Sequence, residues 1–180
     1  MEYVKAISLL CSGLVTGYLL HRYTSAAPTF SNAKKAVVTL HPTESSVTRG
    51  TINFEQLATG IHIHGTISGL KPGKHGFHIH TFGNCSCPDA TCAGGHFNPT
   101  NQPHGAPSDK KRHVGDLGNI IADNNGTASI DAMDSIITLN GPHSIIGRSV
   151  IVHEQHDNLT SQPTGSAGKR VGCGVIGFAK

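Results

Sequence analysis

From Ala33 to Lys180, no stretch of ten residues repeats its apolar positions at the helical period. Apolar residues instead alternate in short runs, interrupted by glycine and turn residues. Lys35–Leu40, Gly50–Phe54, Gly60–Ile67 and Gly76–His80 are predicted strands. Gly118–Ala122, Thr127–Ile130, Ser149–His153 and Gly172–Phe178 follow, and Ser149–Val152 is apolar throughout, as a central strand is. Gly69-Leu-Lys-Pro-Gly73 and Asp123-Asn-Asn-Gly126 carry turn chemistry. Many short strands separated by turns predict one all-β domain, an antiparallel sandwich or barrel. A chain of 180 residues leaves no room for two well-formed domains.

Two stretches break the pattern, residues 81–116 and 154–170. Loops beyond about 12–15 residues in a compact domain are usually functional or disordered, and these two hold most of the reactive side chains. The N-terminus reads differently again. Lys5 precedes an uncharged, mostly apolar stretch, Ala6–Leu20, too short for a bilayer span and suited to the core of a secretory signal peptide. Small residues at Thr24 and Ala26, or Ser25 and Ala27, suit cleavage, so residues 1–26 are expected to be a signal peptide and 27–180 the mature domain. The alternative is an uncleaved anchor. Cleavage predicts a secreted, extracellular protein with no stable membrane span. The four cysteines left after cleavage (Cys85, Cys87, Cys92 and Cys173) fit disulfides in an exported chain, and sequons at Asn84, Asn125 and Asn158 offer glycosylation sites. A net charge of +3 is too small to imply nucleic-acid binding, and Lys110-Lys111-Arg112 reads as a solvated loop.

Histidine is abundant, with 13 in the chain. His78 and His80 stand two apart on a predicted strand, so both imidazoles reach one face and can share a metal ion. His62 and His64 have the same spacing, but Ile61 and Ile63 supply that strand's buried face, which turns the pair to solvent; it is read as a decoy. The long loop after His80 carries His96, His104, His113 and Asp116, and His153 ends the apolar strand. Six histidines and one aspartate suffice for two four-coordinate sites if one ligand is shared. Three histidines with a carboxylate make a closed, structural zinc site, and four histidines favour tetragonal Cu(II).

Five segments resemble the signatures of copper/zinc superoxide dismutases, in that family's order. They are Gly76-Phe-His-Ile-His80, Gly95-His-Phe-Asn-Pro99, Arg112-His-Val-Gly-Asp-Leu-Gly-Asn119, Val152-His-Glu154 and Gly172-Cys-Gly-Val-Ile-Gly177. The resemblance implies an eight-stranded antiparallel Greek-key β-barrel, flattened like a sandwich, with two long functional loops. It implies one copper and one zinc ion per subunit. His78, His80, His96 and His153 match the copper ligands, and His96, His104, His113 and Asp116 the zinc ligands, with His96 bridging. Asp157 matches a carboxylate joining a copper-side and a zinc-side histidine, His75 a structural histidine, and Arg170 the arginine beside copper that draws in the anion. The implied reaction is disproportionation of superoxide to dioxygen and hydrogen peroxide, with protection against superoxide as its purpose. Family members are often dimers, so a homodimer is expected, packing through segments such as Gly174–Phe178 and Ile145-Ile146-Gly147.

The chain departs from the family in two places. The family's cysteine six residues before the bridging histidine is Ala90 here, surrounded by Cys85, Cys87 and Cys92. A Cys85–Cys87 bridge would close a very small, strained ring. That leaves Cys173 with Cys87 or with Cys85, and Cys92 with the other; the expected pairing is Cys87–Cys173 with Cys85–Cys92. A Cys92–Cys173 bridge would leave a free Cys85-x-Cys87 able to handle Cu(I), which keeps open a copper-binding or copper-transfer protein on the same fold. The loop 154–170 is also shorter than usual and lacks the family's acidic pair, so substrate guidance is expected to rest on purely positive charges, Lys169 beside Arg170.

Overall fold

The computed structural model describes residues 34–44 and 46–180; the predicted signal segment 1–26 lies outside them. Among the described residues nine strands form, all antiparallel to their neighbours. They are β1 (Lys35–Pro42), β2 (Arg49–Leu57), β3 (Gly60–Ser68), β4 (Gly73–His80), β5 (Asp116–Ala122), β6 (Ala128–Asp134), β7 (Ser149–His153), β8 (Arg170–Val175) and the two-residue β9 (Gly177–Phe178). Among the described residues the only helical element is one 3₁₀ turn, Thr91–Ala93, and no helix is long and apolar enough to cross a membrane.

Strand order is β5-β4-β7-β8-β1-β2-β3-β6, with β9 on β1. β1 belongs to both halves of a flattened barrel. Ala36–Leu40 pairs with β2, whereas His41 and Pro42 pair with Cys173 and Gly172 of β8. The connections β3–β4, β5–β6 and β6–β7 each cross between the halves, which is Greek-key wiring. β5 and β6, the ends of the order, lie alongside each other without a ladder, so the barrel is nearly closed.

Alternation fills the interior. Val38 and Leu40 on β1, Ile52 and Phe54 on β2, Ile61, Ile63 and Ile67 on β3, and Val150 and Val152 on β7 are buried in one cluster. All five residues of β7 are buried, as its apolar run predicts for a central strand. The predicted final strand, Gly172–Phe178, differs in form. It begins two residues earlier, at Arg170, and breaks at Ile176, whose N–H donates to Arg148 O; Gly177 and Phe178 then switch to β1. Ile176 stays buried at the break, so the core is continuous across it.

Lys110-Lys111-Arg112 needs a correction, because Arg112 is buried. Its Nη1 donates to the carbonyls of His113, Val114 and Asp116, and its Nη2 pairs with Asp134 at the end of β6. The guanidinium thus clamps the turn that carries two of the predicted ligands.

Candidate metal centre

The centre is built on the ends of β4, β5, β7 and β8. His78 and His80 project from β4, His153 ends β7, and Asp116 opens β5 opposite His78. The long loop brings in the rest by pairing its own backbone with the end of β4. Phe97 N–H donates to Ile79 O, Ile79 N–H to Gly115 O, and Gly115 N–H to Phe97 O. His96 therefore faces His80 in an isolated bridge. A Cβ on Gly115 would stand 2.2 Å from Ile79 O, so this approach requires glycine.

Two buried groups result. His78, His80, His96 and His153 offer ligand atoms within 4.8 Å of one another, and so do His96, His104, His113 and Asp116. The His78 and His96 ring centroids are 4.0 Å apart. In the first group each ring is fixed through one nitrogen and leaves the other bare. His78 Nε2 donates to Asp157 Oδ2 at 2.8 Å, His80 Nδ1 to Gly94 O at 2.8 Å and His153 Nδ1 to Gly168 O at 3.2 Å. In this group the atoms left buried without a partner are His78 Nδ1 and the Nε2 atoms of His80, His96 and His153; His104 Nδ1 in the second group and Arg112 Nε also lack a hydrogen-bond partner. Buried polar atoms nearly always find partners, so four converging orphans of one acceptor type fit a bound cation. In the second group Asp116 Oδ1 lies 2.6 Å from His96 Nδ1 and 3.1 Å from His113 Nδ1, while its Oδ2 lies 3.1 Å from His104 Nδ1. The two nitrogens of His96 thus face different groups.

Asp157 ties the groups together, accepting also from His104 Nε2 at 2.8 Å. Two clamps that carried no sequence signal hold this arrangement. Asn119 donates to Asp157 O and accepts from Asp157 N–H, and Gln162 does the same to the backbone of His104. Gly165 (φ +72°) passes so close that a Cβ there would overlap Asp157 Oδ1. His75 is buried between His153 O and Lys71 O, both 2.8 Å from its ring nitrogens, and joins neither group.

The electrostatics divide in the same way. Burial, then the neighbouring His96 and His153, holds His80 well below the ordinary imidazole value. Burial likewise lowers His153 to about 3, and lowers His96 to about 4 against the opposing pull of Asp116. These rings are neutral at pH 7 and present lone pairs. On the other side burial disfavours a charged His104, but Asp116 and Asp157 outweigh it and raise the ring to about 9. Burial alone would raise Asp116; its three imidazole partners hold it far below the usual carboxylate range instead. The second group is therefore suited to a permanent cation, and loading it with metal displaces a proton.

Arg170 opens β8 opposite His153. Its Nη1 donates to Ala90 O at 2.6 Å and its Nη2 to Gly94 O at 2.7 Å, the carbonyl that also orients His80. The cavity outside it is lined by Lys169 and also by Glu44, Asp89 and Glu154, so the expectation of purely positive charge there is corrected. These acids come from three separate segments and not from the shortened loop alone.

The disulfide expectation is also corrected. The bridges are Cys85–Cys173 and Cys87–Cys92, not Cys87–Cys173 and Cys85–Cys92. Cys87 and Cys92 flank a tight turn, in which Ala90 N–H donates to Cys87 O and Ala90 adopts φ 59°. Cys85 instead packs on the buried cluster of Ala90, Ala93, Ile151 and Cys173. Cys85 and Cys87 are thus both bridged and do not form a free Cys-x-Cys thiol pair.

A flattened Greek-key barrel with a buried two-group histidine centre defines a β-barrel metalloprotein. The family model for copper/zinc superoxide dismutase matches residues 48–176. An extracellular superoxide dismutase [Cu-Zn] of Brugia pahangi is 44% identical over 160 residues, covering 84% of this chain and 79% of the relative. Superoxide dismutase [Cu-Zn] 3 of Arabidopsis thaliana is 50% identical over 137 residues, 72% of this chain and 83% of that one. The crystal structure of the clock protein EA4 superposes with a TM-score of 0.78 at 43% identity, covering 86% of this chain and all of that one. The chain belongs to the copper/zinc superoxide dismutase family: it is an oxidoreductase that disproportionates superoxide and uses copper and zinc.

Proposed function

We propose that His78, His80, His96 and His153 hold the catalytic copper, that His96, His104, His113 and Asp116 hold the zinc, and that His96 bridges them. The observation carrying this assignment is the set of four bare, buried nitrogens beside a group already organised around a carboxylate. Copper, when bound, supplies reversible one-electron chemistry, oxidising one superoxide and reducing the next. The protein's part is positional. Asp157 fixes His78 and His104 through their Nε2 protons, which leaves the other nitrogen of each ring free to ligate. His96 turns Nδ1 to Asp116 and leaves Nε2 bare toward the first group, so its ring would be shared between the two metals as an imidazolate and would hold a proton only on a nitrogen not occupied by metal. Arg170, anchored by two carbonyls, keeps further N–H groups for an incoming anion.

The mature enzyme is proposed to be secreted after cleavage near Ala26 and to act as a homodimer outside the cell. Support comes from the Ala6–Leu20 segment, the two disulfides and the extracellular Brugia pahangi relative. Three sequons stand ready for glycosylation, at Asn84, Asn125 and Asn158. The protein purified from culture medium should begin near Ala27 or Pro28, carry equimolar copper and zinc, and show no thiol titratable after denaturation without reductant. It should turn over superoxide at a rate abolished by metal removal. A retained Met1 with membrane association would reject secretion, and copper without zinc would reject the two-site assignment.

A further inference from the structure

The outer wall of the barrel carries a third group of metal-ligating side chains, away from the buried centre. His62 and His64 lie on the outward face of β3, with Ile61 and Ile63 buried between and beside them. Antiparallel pairing puts partners from both neighbouring strands on that face. Glu55 of β2 and Met133 of β6 stand opposite His62, and Asn53 and Asp131 stand opposite His64. Ligand atoms of Glu55, His62 and His64 lie within 4.8 Å of one another. The two imidazoles stack with centroids 4.9 Å apart. His62 Nε2 donates to Asp131 Oδ1 at 2.7 Å, which leaves Nδ1 as the lone-pair nitrogen and fixes the ring. This is the same device by which Asp157 orients His78.

We propose that Glu55, His62 and His64 form a surface site for a divalent first-row transition cation, with Asp131 as the orienting carboxylate and copper as the favoured metal. Two imidazoles and a carboxylate are borderline donors, for which Cu(II) stands highest in the divalent series. Met133, exposed and opposite His62 in the same cross-strand row, puts a thioether on this face that would favour copper over zinc once the ion is reduced to Cu(I). The ligands are partly solvated, so binding carries little desolvation penalty and the site is open to exchange. Lys35, 3.9 Å from Glu55, is the competing cation; that ion pair is exposed on both sides and yields readily to a bound metal. Strands β2, β3 and β6 lie, with β9 and part of β1, in the half of the barrel that carries none of the buried ligands, so this site can fill or empty without disturbing them.

The test starts from enzyme with both buried sites filled, titrated with Cu(II) in a weakly coordinating buffer and followed by metal analysis and the electron-spin resonance of the added copper. One further equivalent should bind saturably, with nitrogen hyperfine coupling distinct from that of the buried copper. His62→Thr/His64→Thr should lose that equivalent while keeping both buried metals and full activity. Asp131→Asn should weaken it by about 10-fold. A third equivalent that persists in the double variant, or is lost instead in His41→Ala or His156→Ala, overturns the proposal. So does the lack of any saturable third equivalent in the wild type.

Discussion

His153→Ala should reduce superoxide turnover to background and remove most of the copper, while zinc stays bound. The ring supplies one of four bare nitrogens in the first group and none to the second. Its Nδ1 contact is to a loop carbonyl, Gly168 O, and its own carbonyl, which braces His75, survives the substitution. Asp116→Ala should do the reverse and lose zinc and stability first. Asp116 accepts the N–H groups of Gly105 and His113 as well as facing three imidazoles, and it is fully buried. Each backbone donor left unpaired costs about 1–3 kcal/mol, so the loop holding His104 and His113 loosens. Metal analysis of both variants decides the matter; equal loss of both metals in each would mean that the two groups do not act separately.

The metal-free enzyme should show the same division in its pH dependence. Asp116 is depressed, so its contribution to stability is fully present above the unfolded carboxyl value of about 3.9 and falls away in acid. His104 is raised, so its contribution is fully present below about 6.5 and is lost as pH climbs through about 9. The metal-free chain should therefore lose thermal stability above neutrality. It should lose stability in acid as well, because the depressed His80, His96 and His153 withdraw their contribution as pH falls below about 6.5; the optimum lies near neutral pH. Zinc should abolish the alkaline decline, because it replaces the His104 proton. A metal-free chain that grew more stable from pH 7 to 9 would contradict the His104 assignment.

The strands were legible in the sequence because alternation between Ile61, Ile63 and Ile67, or Val150 and Val152, encodes which side is buried. His78 and His80 were legible for the same reason. His96, His104 and His113 could be seen as ligand types, but their grouping depends on how residues 95–97 and 115 run along β4, a backbone contact with no residue signature beyond Gly115. The resemblance supplied that grouping. Arg112 was misread because a basic triplet looks solvated, and its partner Asp134 sits on another strand. Asn119 on β5 and Gln162 in the second long loop act on backbone atoms of Asp157 and His104, and a lone amide carries no pattern that marks such a clamp. The choice between Cys85 and Cys87 for Cys173 turned on the left-handed turn at Ala90, a conformation that alanine does not advertise.

Arg170→Glu should slow turnover by at least about 100-fold at low ionic strength, far more than Arg170→Lys. Two effects combine. Opposite-charge encounter speeds association by ~10-fold or more, and loss of an oriented donor at a reacting anion costs about 10²–10³. The guanidinium is anchored on Ala90 O and Gly94 O, one carbonyl away from His80 and opposite His153, and its charge bears on both rings. Lysine keeps the charge but cannot span two carbonyls and still face the substrate as a planar fork. Glutamate does more than delete the cation. Glu44 and Asp89 line the cavity beside Arg170, and Glu154 there is paired with Lys71 at 2.8 Å, so a glutamate at 170 would leave Lys169 facing added negative charge. The salt dependence should then change sign. Wild-type turnover should fall as ionic strength rises, because the Debye length shrinks from about 10 Å at 0.1 M to about 3 Å at 1 M, whereas Arg170→Glu turnover should rise as its repulsion is screened. Lys169→Ala should mainly flatten the wild-type slope. All three variants should keep both metals, since neither residue is a ligand. Near-normal low-salt turnover in Arg170→Glu would remove Arg170 from substrate guidance and leave the field to be sought in Lys169 and the copper itself.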